Sequence, residues 1–209
     1  MKISKHVHSC LLVEEAGKTI LIDPGEYTYK EKVLDLNALN NLDYLLITHQ
    51  HTDHMHLPLI KNILEKFPEV KIMSNQSVAE ILNEELGCDV SIHGNNDIQL
   101  TKAPHEKALS NPPPKNVLFT IANKLTHPGD SITYNNSTEI LAMPIVGSWA
   151  STVTCLDQAI KVKPKIVIPI HDWHWKDEAR KWYYQKAKEY LKNSGIEFKG
   201  INTAEVIEV

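Results

Sequence analysis

Cysteine is scarce in this chain of 209 residues, and the three present, Cys10, Cys88 and Cys155, are far apart and form no C-x-x-C pair. Their odd number and their spacing argue against a disulfide framework and against a zinc site made of thiolates, so we expect free thiols. No segment approaches the roughly 20 consecutive apolar residues that a membrane span needs. The N-terminus also lacks an apolar segment of the signal-peptide type, and we therefore expect a cytoplasmic location.

A block of basic residues is also missing. Lys and Arg total 22 against 26 Asp and Glu, which gives a net charge of -4, and no polybasic stretch of the kind that binds nucleic acid is present. The sequence therefore predicts no membrane partner and shows no nucleic-acid patch, although nucleic acid is not excluded as a substrate. Homo-oligomerisation stays open. The length and the hydrophobic content of 42% favour one domain over residues 1–209.

The order of apolar patterns predicts an α/β domain with mixed sheets. Alternation predicts a strand over 6–14, a second strand of the hairpin over 18–22 and a turn at 23–25. A capping box predicts that one helix starts at Ser77. The other predicted strands are 44–48, 71–74, 98–103, 117–122, 124–127, 139–143, 166–170 and 205–209, and the predicted helices are 57–67, 77–87, 151–162 and 177–194. In the last helix, a stripe that includes Trp182, Tyr183 and Tyr190 is predicted to pack in the core.

Histidine is abundant, with 11 residues, about twice the number expected from average composition. The sharpest signal is the H-x-H-x-D-H pattern of residues 49–54, directly after the predicted strand 44–48. Imidazole and carboxylate groups suit zinc, iron, manganese and cobalt. A loop leaving a rigid strand can direct His49 and His51 to one metal and Asp53 and His54 to another. The pattern therefore predicts two metal ions, and a solvated His-rich loop is the weaker alternative.

This signature resembles that of the metallo-β-lactamase superfamily. Residues 8–13 (HSCLLV) and 20–25 (ILIDPG) are similar to the opening hairpin and the D-P-G turn of that superfamily, and the resemblance spans nearly the whole chain. It implies the metallo-β-lactamase fold, a four-layer αββα sandwich of two mixed β-sheets flanked by helices. The branch that the chain resembles most is the small, stand-alone intracellular one that includes ascorbate-6-phosphate lactonase-like proteins.

The resemblance also implies the remaining ligands. It assigns His49, His51 and His105 to the first metal, Asp53, His54 and His171 to the second, and Asp130, in a G-D-S turn, to a bridging position between them. For the third ligand of the first metal, His93 stays open as an alternative to His105. His174 is the candidate proton donor to the leaving group. His8 is a candidate for the site entrance, and Trp149 for either the pocket wall or the core.

The activity implied by the resemblance is hydrolysis. Two divalent ions about 3.5–4 Å apart share a water, lower its pKa and hold a hydroxide for attack, and Asp53 would orient that hydroxide. Zinc is the expected metal, with manganese or iron as alternatives. The charge of two such ions exceeds that of two Asp carboxylates and a hydroxide, which favours a small anionic ester, lactone or phosphoester. The alternative is a metal-binding, redox or sensor protein of the same fold without hydrolytic activity.

Overall fold

The computed structural model describes residues 1–109 and 112–209, and internal contacts divide the chain into two compact units. The first unit comprises residues 1–95 and 202–209, and the second comprises residues 96–201. Each unit holds one mixed β-sheet with helices packed on it, so the predicted α/β class with two mixed sheets is confirmed. That both units form a single domain stays a prediction.

Thirteen strands and five α-helices are found in the two described ranges. In chain order they are β1 (Lys2–Val7), β2 (Cys10–Glu15), β3 (Lys18–Ile22), α1 (Glu26–Glu31), β4 (Tyr44–Leu46), α2 (Leu57–Lys66), β5 (Lys71–Met73), α3 (Gln76–Leu86), β6 (Val90–Ser91), β7 (Ile98–Lys102), β8 (Val117–Ile121), β9 (Leu125–His127), β10 (Ile140–Pro144), α4 (Thr152–Val162), β11 (Ile166–Ile170), α5 (Asp177–Lys192), β12 (Glu197–Phe198) and β13 (Val206–Glu208).

The sheet of the first unit has the strand order β13-β1-β2-β3-β4-β5-β6. Strands β1, β2 and β3 pair antiparallel, whereas β3, β4, β5 and β6 pair parallel. As a result β1, β3 and β4 all run in the same direction, and their carboxyl ends lie at one edge of the sheet. Helices α2 and α3 cover one face of this sheet, where Leu21 and Leu45 pack with Ile60 and Val78.

The first hairpin differs from its prediction. The predicted strand 6–14 is wrong as a single strand, because β1 and β2 are separated by a tight turn of His8 and Ser9, across which Val7 pairs with Cys10. The turn contains neither glycine nor proline, and this hides it in the sequence.

Helix α3 also starts differently from its prediction. The side chain of Asn75, not that of Ser77, caps it by accepting hydrogen bonds from two backbone N–H groups.

The sheet of the second unit has the strand order β12-β11-β10-β9-β8-β7. Strands β7, β8 and β9 pair antiparallel, and β9 to β12 pair parallel. Five strands, β7, β9, β10, β11 and β12, therefore run in the same direction and end at the same edge of the sheet. Helices α4 and α5 pack on this sheet, with Cys155 and Leu191 against Leu141 and Val167.

The aromatic stripe predicted for the core of α5 is wrong. Trp182 is 57% exposed and Tyr190 is 43% exposed, whereas Ala187 and Leu191 are fully buried. The buried face follows the spacing of Tyr184, Ala187 and Leu191, and Trp182 stands five residues before Ala187, about 140° around the helix. Neither α5 nor any other helix of the described residues is long and apolar enough to cross a membrane.

All three cysteines are free, as predicted. Burial raises the pKa of the Cys10 thiol to about 12, although a hydrogen bond with Thr28 opposes this shift. Burial likewise raises the pKa of the Cys155 thiol to about 12. Both thiols pack in the cores of their units as small apolar groups.

Candidate metal centre

In the first unit the H-x-H-x-D-H loop leaves the carboxyl end of β4. His49 and His54 are buried, and His51 and Asp53 are half-buried. The loop folds back on itself, because the backbone N–H of His54 donates to the carbonyl of His51 at 2.9 Å. This local turn gathers the imidazoles and the carboxylate of the motif on one side of the strand end.

Asp23, at the end of the neighbouring parallel strand β3, holds this loop. Its buried carboxylate accepts hydrogen bonds from the backbone N–H of Thr48 at 2.7 Å and from the Thr48 hydroxyl at 2.8 Å. The same carboxylate lies 2.7 Å from Nδ1 of His54. A carboxylate accepts at this position, so Nδ1 of His54 carries a proton, and in the neutral ring Nε2 offers a lone pair.

Thr48 sets the orientation of His49 in the same way. Its hydroxyl donates to Asp23, and the hydroxyl oxygen lies 3.0 Å from Nδ1 of His49. Nδ1 of His49 is therefore the donor and Nε2 offers a lone pair. That Nε2 atom lies 3.1 Å from Nδ1 of His51, close enough for one ion to bind both nitrogens.

The D-P-G turn approaches the loop so closely that only glycine fits at position 25. A Cβ added at Gly25 would lie 1.8 Å from the carbonyl oxygen of Asp53 and 2.7 Å from the backbone nitrogen of His54. The φ angle of Gly25 is -83°, which any residue can adopt. Glycine is thus required here by the close approach of two backbones and not by backbone conformation.

The side chains of His8, Asp53 and His54 form a second group in this unit, and their ligand-type atoms lie within 4.8 Å of one another. Nε2 of His8 is 3.2 Å from Oδ2 of Asp53, and Nε2 of His54 is 3.9 Å from the same oxygen. His8 follows the carboxyl end of β1, which explains why it meets a loop that starts at the end of β4. The group could bind one cation.

In the second unit, Asp130 lies between two histidines. Its Oδ2 atom is 3.5 Å from Nε2 of His105 and 3.2 Å from Nε2 of His171. All three residues are buried and follow the ends of strands that run in the same direction, β7, β9 and β11. The structure thus brings together the three ligands that the sequence predicts for this half of the chain.

Backbone carbonyls fix both of these imidazoles. Nδ1 of His105 lies 2.6 Å from the carbonyl oxygen of Glu106, and Nδ1 of His171 lies 2.6 Å from that of Val146. A carbonyl only accepts, so in both rings Nδ1 carries a proton, and in the neutral ring Nε2 offers a lone pair. This arrangement is typical of histidines that bind metals. The donor set in both units therefore fits divalent metal ions.

Two buried networks hold the loops of the second unit. Asn116 donates to the carbonyls of Ala103 and Pro128 at 3.1 and 2.9 Å, which joins the His105 segment to the Asp130 turn. Behind His171, the carboxylate of Asp172 accepts hydrogen bonds from Arg180 at 3.1 Å and from the hydroxyl of Tyr184. These contacts join residues 8 to 13 positions apart, and no sequence motif indicated them.

Trp149 stands beside the histidines of the second unit. Its ring centroid is 5.5 Å from that of His171 and 6.4 Å from that of His105, with edge-to-face geometry. The ring packs so closely on Gly147 that a Cβ there would meet it at 2.5 Å. Trp149 is half-buried, so it forms a wall next to these ligands and is not a residue of the core.

The candidate proton donor, His174, and the alternative metal ligand, His93, are both exposed. His174 is exposed and its ring meets that of Trp173 edge-to-face, with 5.2 Å between centroids. His93 is exposed in the loop after β6, where its carbonyl accepts a hydrogen bond from the Ser91 hydroxyl. His105, in contrast, is buried against Asp130.

Two further groups of the first unit flank the loop. Burial raises the pKa of Tyr27, and the negative charges of Asp53 and Glu26 add to this shift. Burial lowers the pKa of His56, although Glu26 opposes this shift. Near pH 7 the Tyr27 phenol and the His56 imidazole are therefore predominantly neutral.

Known proteins resemble this chain along most of its length. The sequence family described as a β-lactamase superfamily domain matches residues 2–171. A UPF0173 protein of Pyrococcus abyssi is 30% identical over 184 residues, which cover 82% of this chain and 83% of the relative. A UPF0173 metal-dependent hydrolase of Geobacillus thermodenitrificans is 29% identical over 201 residues, covering 82% of this chain and 85% of the relative.

A solved structure shares the fold. Igni18, a metallo hydrolase from the archaeon Ignicoccus hospitalis, is 20% identical and covers 99% of this chain and 97% of its own, with a TM-score of 0.71. At this level of identity the likeness shows a shared fold.

We predict that Gly25→Ala damages the site. The new Cβ must displace the backbone of Asp53 and His54, so metal affinity should fall at least tenfold and stability should drop by about 1–3 kcal/mol. Isothermal titration with zinc and thermal unfolding measure both effects. Gly17→Ala is the control, because Gly17 has a φ of +74° with no atom within 4 Å of its Cβ position. It should lower stability and leave metal affinity unchanged; equal metal affinity in the two variants would contradict this prediction.

A second prediction separates the two candidates for the third ligand of the first metal. His105→Ala should lose one metal, because it removes a buried imidazole whose Nε2 faces Asp130. His93→Ala should keep the metal content of the wild type. Plasma emission spectrometry on both purified variants measures the metal bound per chain, and the reverse result would assign the ligand to His93.

Proposed function

Since the chain belongs to the β-lactamase superfamily and is a metal-dependent hydrolase, we propose that it uses two divalent metal ions to hydrolyse a small anionic ester, lactone or phosphoester. The predicted metallo-β-lactamase fold is confirmed by the same matches. The proposed ligands are His49, His51 and His105 for the first metal, Asp53, His54 and His171 for the second, and Asp130 between them. The narrower resemblance to ascorbate-6-phosphate lactonase-like proteins stays a prediction.

The observation that supports this proposal best is the hydrogen bonding of four buried imidazoles. In each of them Nδ1 lies 2.6–3.0 Å from an oxygen that accepts a hydrogen bond from it; the four are His49, His54, His105 and His171. In its neutral form each ring therefore offers the Nε2 lone pair, which a metal ligand needs. Four buried rings with the same tautomer, in loops next to Asp53 or Asp130, are difficult to explain as ordinary core packing.

The position of Asp130 supports its bridging role. One oxygen of its carboxylate lies within 3.5 Å of Nε2 of both His105 and His171, which are proposed to bind different metals. A carboxylate in this position also lowers the repulsion between two cations. The hydrogen bond from Asn116 to the carbonyl of Pro128 keeps the turn that carries Asp130 in place.

The residues of the chain would act around these ions as follows. When bound, two divalent ions lower the pKa of a shared water and supply a nucleophile near neutral pH. Asp53 is half-buried and has two carboxylate oxygens, so one can bind the second metal while the other orients the attacking water. Trp149 excludes water on the side of His105 and His171. Two divalent cations outweigh the charges of Asp53 and Asp130, which favours an anionic substrate.

The choice of metal follows from the ligand atoms. The proposed set contains imidazole nitrogens and carboxylate oxygens, without a thiolate, and this set suits zinc first and manganese or iron as alternatives. The three free cysteines fit a reducing compartment, so we propose a cytoplasmic location and a small-molecule substrate. Their pairing as intramolecular disulfides in the native protein would argue against that location.

The proposal is tested by a substrate screen with an Asp53 variant. Generic phosphodiesters, lactones and carboxylic esters are incubated with the zinc-loaded and manganese-loaded protein. We expect turnover of one class, and we expect Asp53→Ala to lower kcat/KM at least about 10³-fold, because the nucleophile loses its orienting carboxylate. The stability of the variant should fall only modestly, by about 1–3 kcal/mol, because the site lies in loops but the buried His8 loses its acceptor.

The exposed carboxylate Asp89 provides the control. Asp89→Ala should retain full turnover and an unchanged melting temperature. A fully active Asp53→Ala variant would contradict the assigned role of Asp53. Bound iron with oxidase activity, together with no turnover of any ester, would contradict the hydrolase mechanism as a whole.

We also propose that His174 donates the proton to the leaving group. His174 follows β11 by four residues, and its exposed imidazole can exchange protons with solvent. We predict that His174→Gln lowers kcat by about 10²-fold or more for an alkyl ester, whose leaving group needs a proton. For a p-nitrophenyl ester kcat should change less than about threefold, because nitrophenolate leaves without one. Equal losses with both esters would exclude this role.

A further inference from the structure

We propose that His8 is a positioning residue for Asp53. In this inference, which rests on the proposed function, Nε2–H of His8 donates a hydrogen bond to Oδ2 of Asp53, across the observed distance of 3.2 Å. That bond fixes the plane of the carboxylate, which keeps further lone pairs for the second metal and for the attacking water. His8 thus extends the site beyond the seven residues of the proposed ligand set.

The backbone of His8 supports a functional role. His8 has a φ of +55° in a two-residue turn between β1 and β2. Glycine and asparagine are the residues that adopt this conformation most easily in such turns. A histidine here costs about 1 kcal/mol of backbone strain relative to glycine, and such strain is concentrated at functional sites. The turn alone does not explain why a histidine occupies this position.

The surroundings of His8 fix the direction of its ring. His8 is 1% exposed, whereas the side chain of Asp53 is 19% exposed. The ring of His8 meets those of Tyr27 and His54 edge-to-face, with centroids 5.2 and 5.8 Å apart. A buried imidazole confined on two sides cannot rotate freely. His8 therefore supports Asp53 from the interior, and the accessible side of the carboxylate stays open to metal and substrate.

The two neighbouring ligands Asp53 and His54 are then held by matching contacts from different strands. Asp23, at the end of β3, holds His54 through Nδ1 at 2.7 Å. His8, at the end of β1, holds Asp53 through Oδ2. In the first case a carboxylate orients an imidazole, and in the second an imidazole orients a carboxylate. Both contacts act on ligands of the proposed second metal, so loss of His8 should weaken that metal selectively.

The test uses His8→Asn, because asparagine tolerates a positive φ but is too short to replace Nε2. We expect the metal-free variant to melt at the same temperature as the wild type or higher. We expect the second metal to bind about 10–100-fold more weakly, as is usual when a residue that orients a ligand is lost. Affinity is measured by competition with a chelator, and the cobalt-substituted protein should show a changed visible spectrum for one of its two metals only.

Two further variants complete the test. His8→Gln returns an N–H group at the position of Nε2 and should recover most of the affinity for the second metal. Ala16→Asn relieves a positive φ of 49° in the next hairpin turn; it should raise the melting temperature and leave both affinities unchanged.

Each contrary result has a distinct meaning. Unchanged metal affinity in His8→Asn overturns the role of His8. Equal weakening in His8→Gln and His8→Asn also overturns it, since the ring nitrogen would then bind the metal directly. If the wild type binds a single metal, the proposed function itself fails, and the role of His8 fails with it.

Discussion

The buried carboxylate of Asp23 is the constraint on which the first half of the site depends. A charge removed from water must have several hydrogen-bond donors, or the fold loses several kcal/mol. Thr48 provides two donors and His54 provides the third. By satisfying Asp23, the chain joins the ends of β3 and β4 and sets the tautomer of His54. Through the Thr48 hydroxyl, the same carboxylate also orients His49.

The second unit reaches the same result by other means. Here peptide carbonyls, and not a carboxylate, accept the hydrogen bonds from Nδ1. The carbonyl of Glu106 orients His105, and that of Val146 orients His171. In both units the candidate ligands follow strands that run in one direction, so the sheet collects them at one edge. The backbone is strained where it leaves these strands: His8, Asp23 and His171 all have positive φ angles.

The sequence predicted the features that depend on neighbouring residues. The strand before the H-x-H-x-D-H motif and most helices and strands follow from local patterns, and each lies within a few residues of its prediction. The role of Asp23 was missed because its partners are 25 and 31 residues away. The turn at His8 was missed because it contains neither glycine nor proline. Trp182 was misplaced since helical spacing alone does not say which face of α5 meets the sheet.

The most direct test of this account is the number of metal ions that the protein binds. Plasma emission spectrometry on protein purified without chelator, and again after titration with zinc, measures it without reference to any substrate. The account predicts about two ions per chain, with zinc as the main metal. One ion or none after saturation with zinc, manganese and iron in turn would contradict the dinuclear centre.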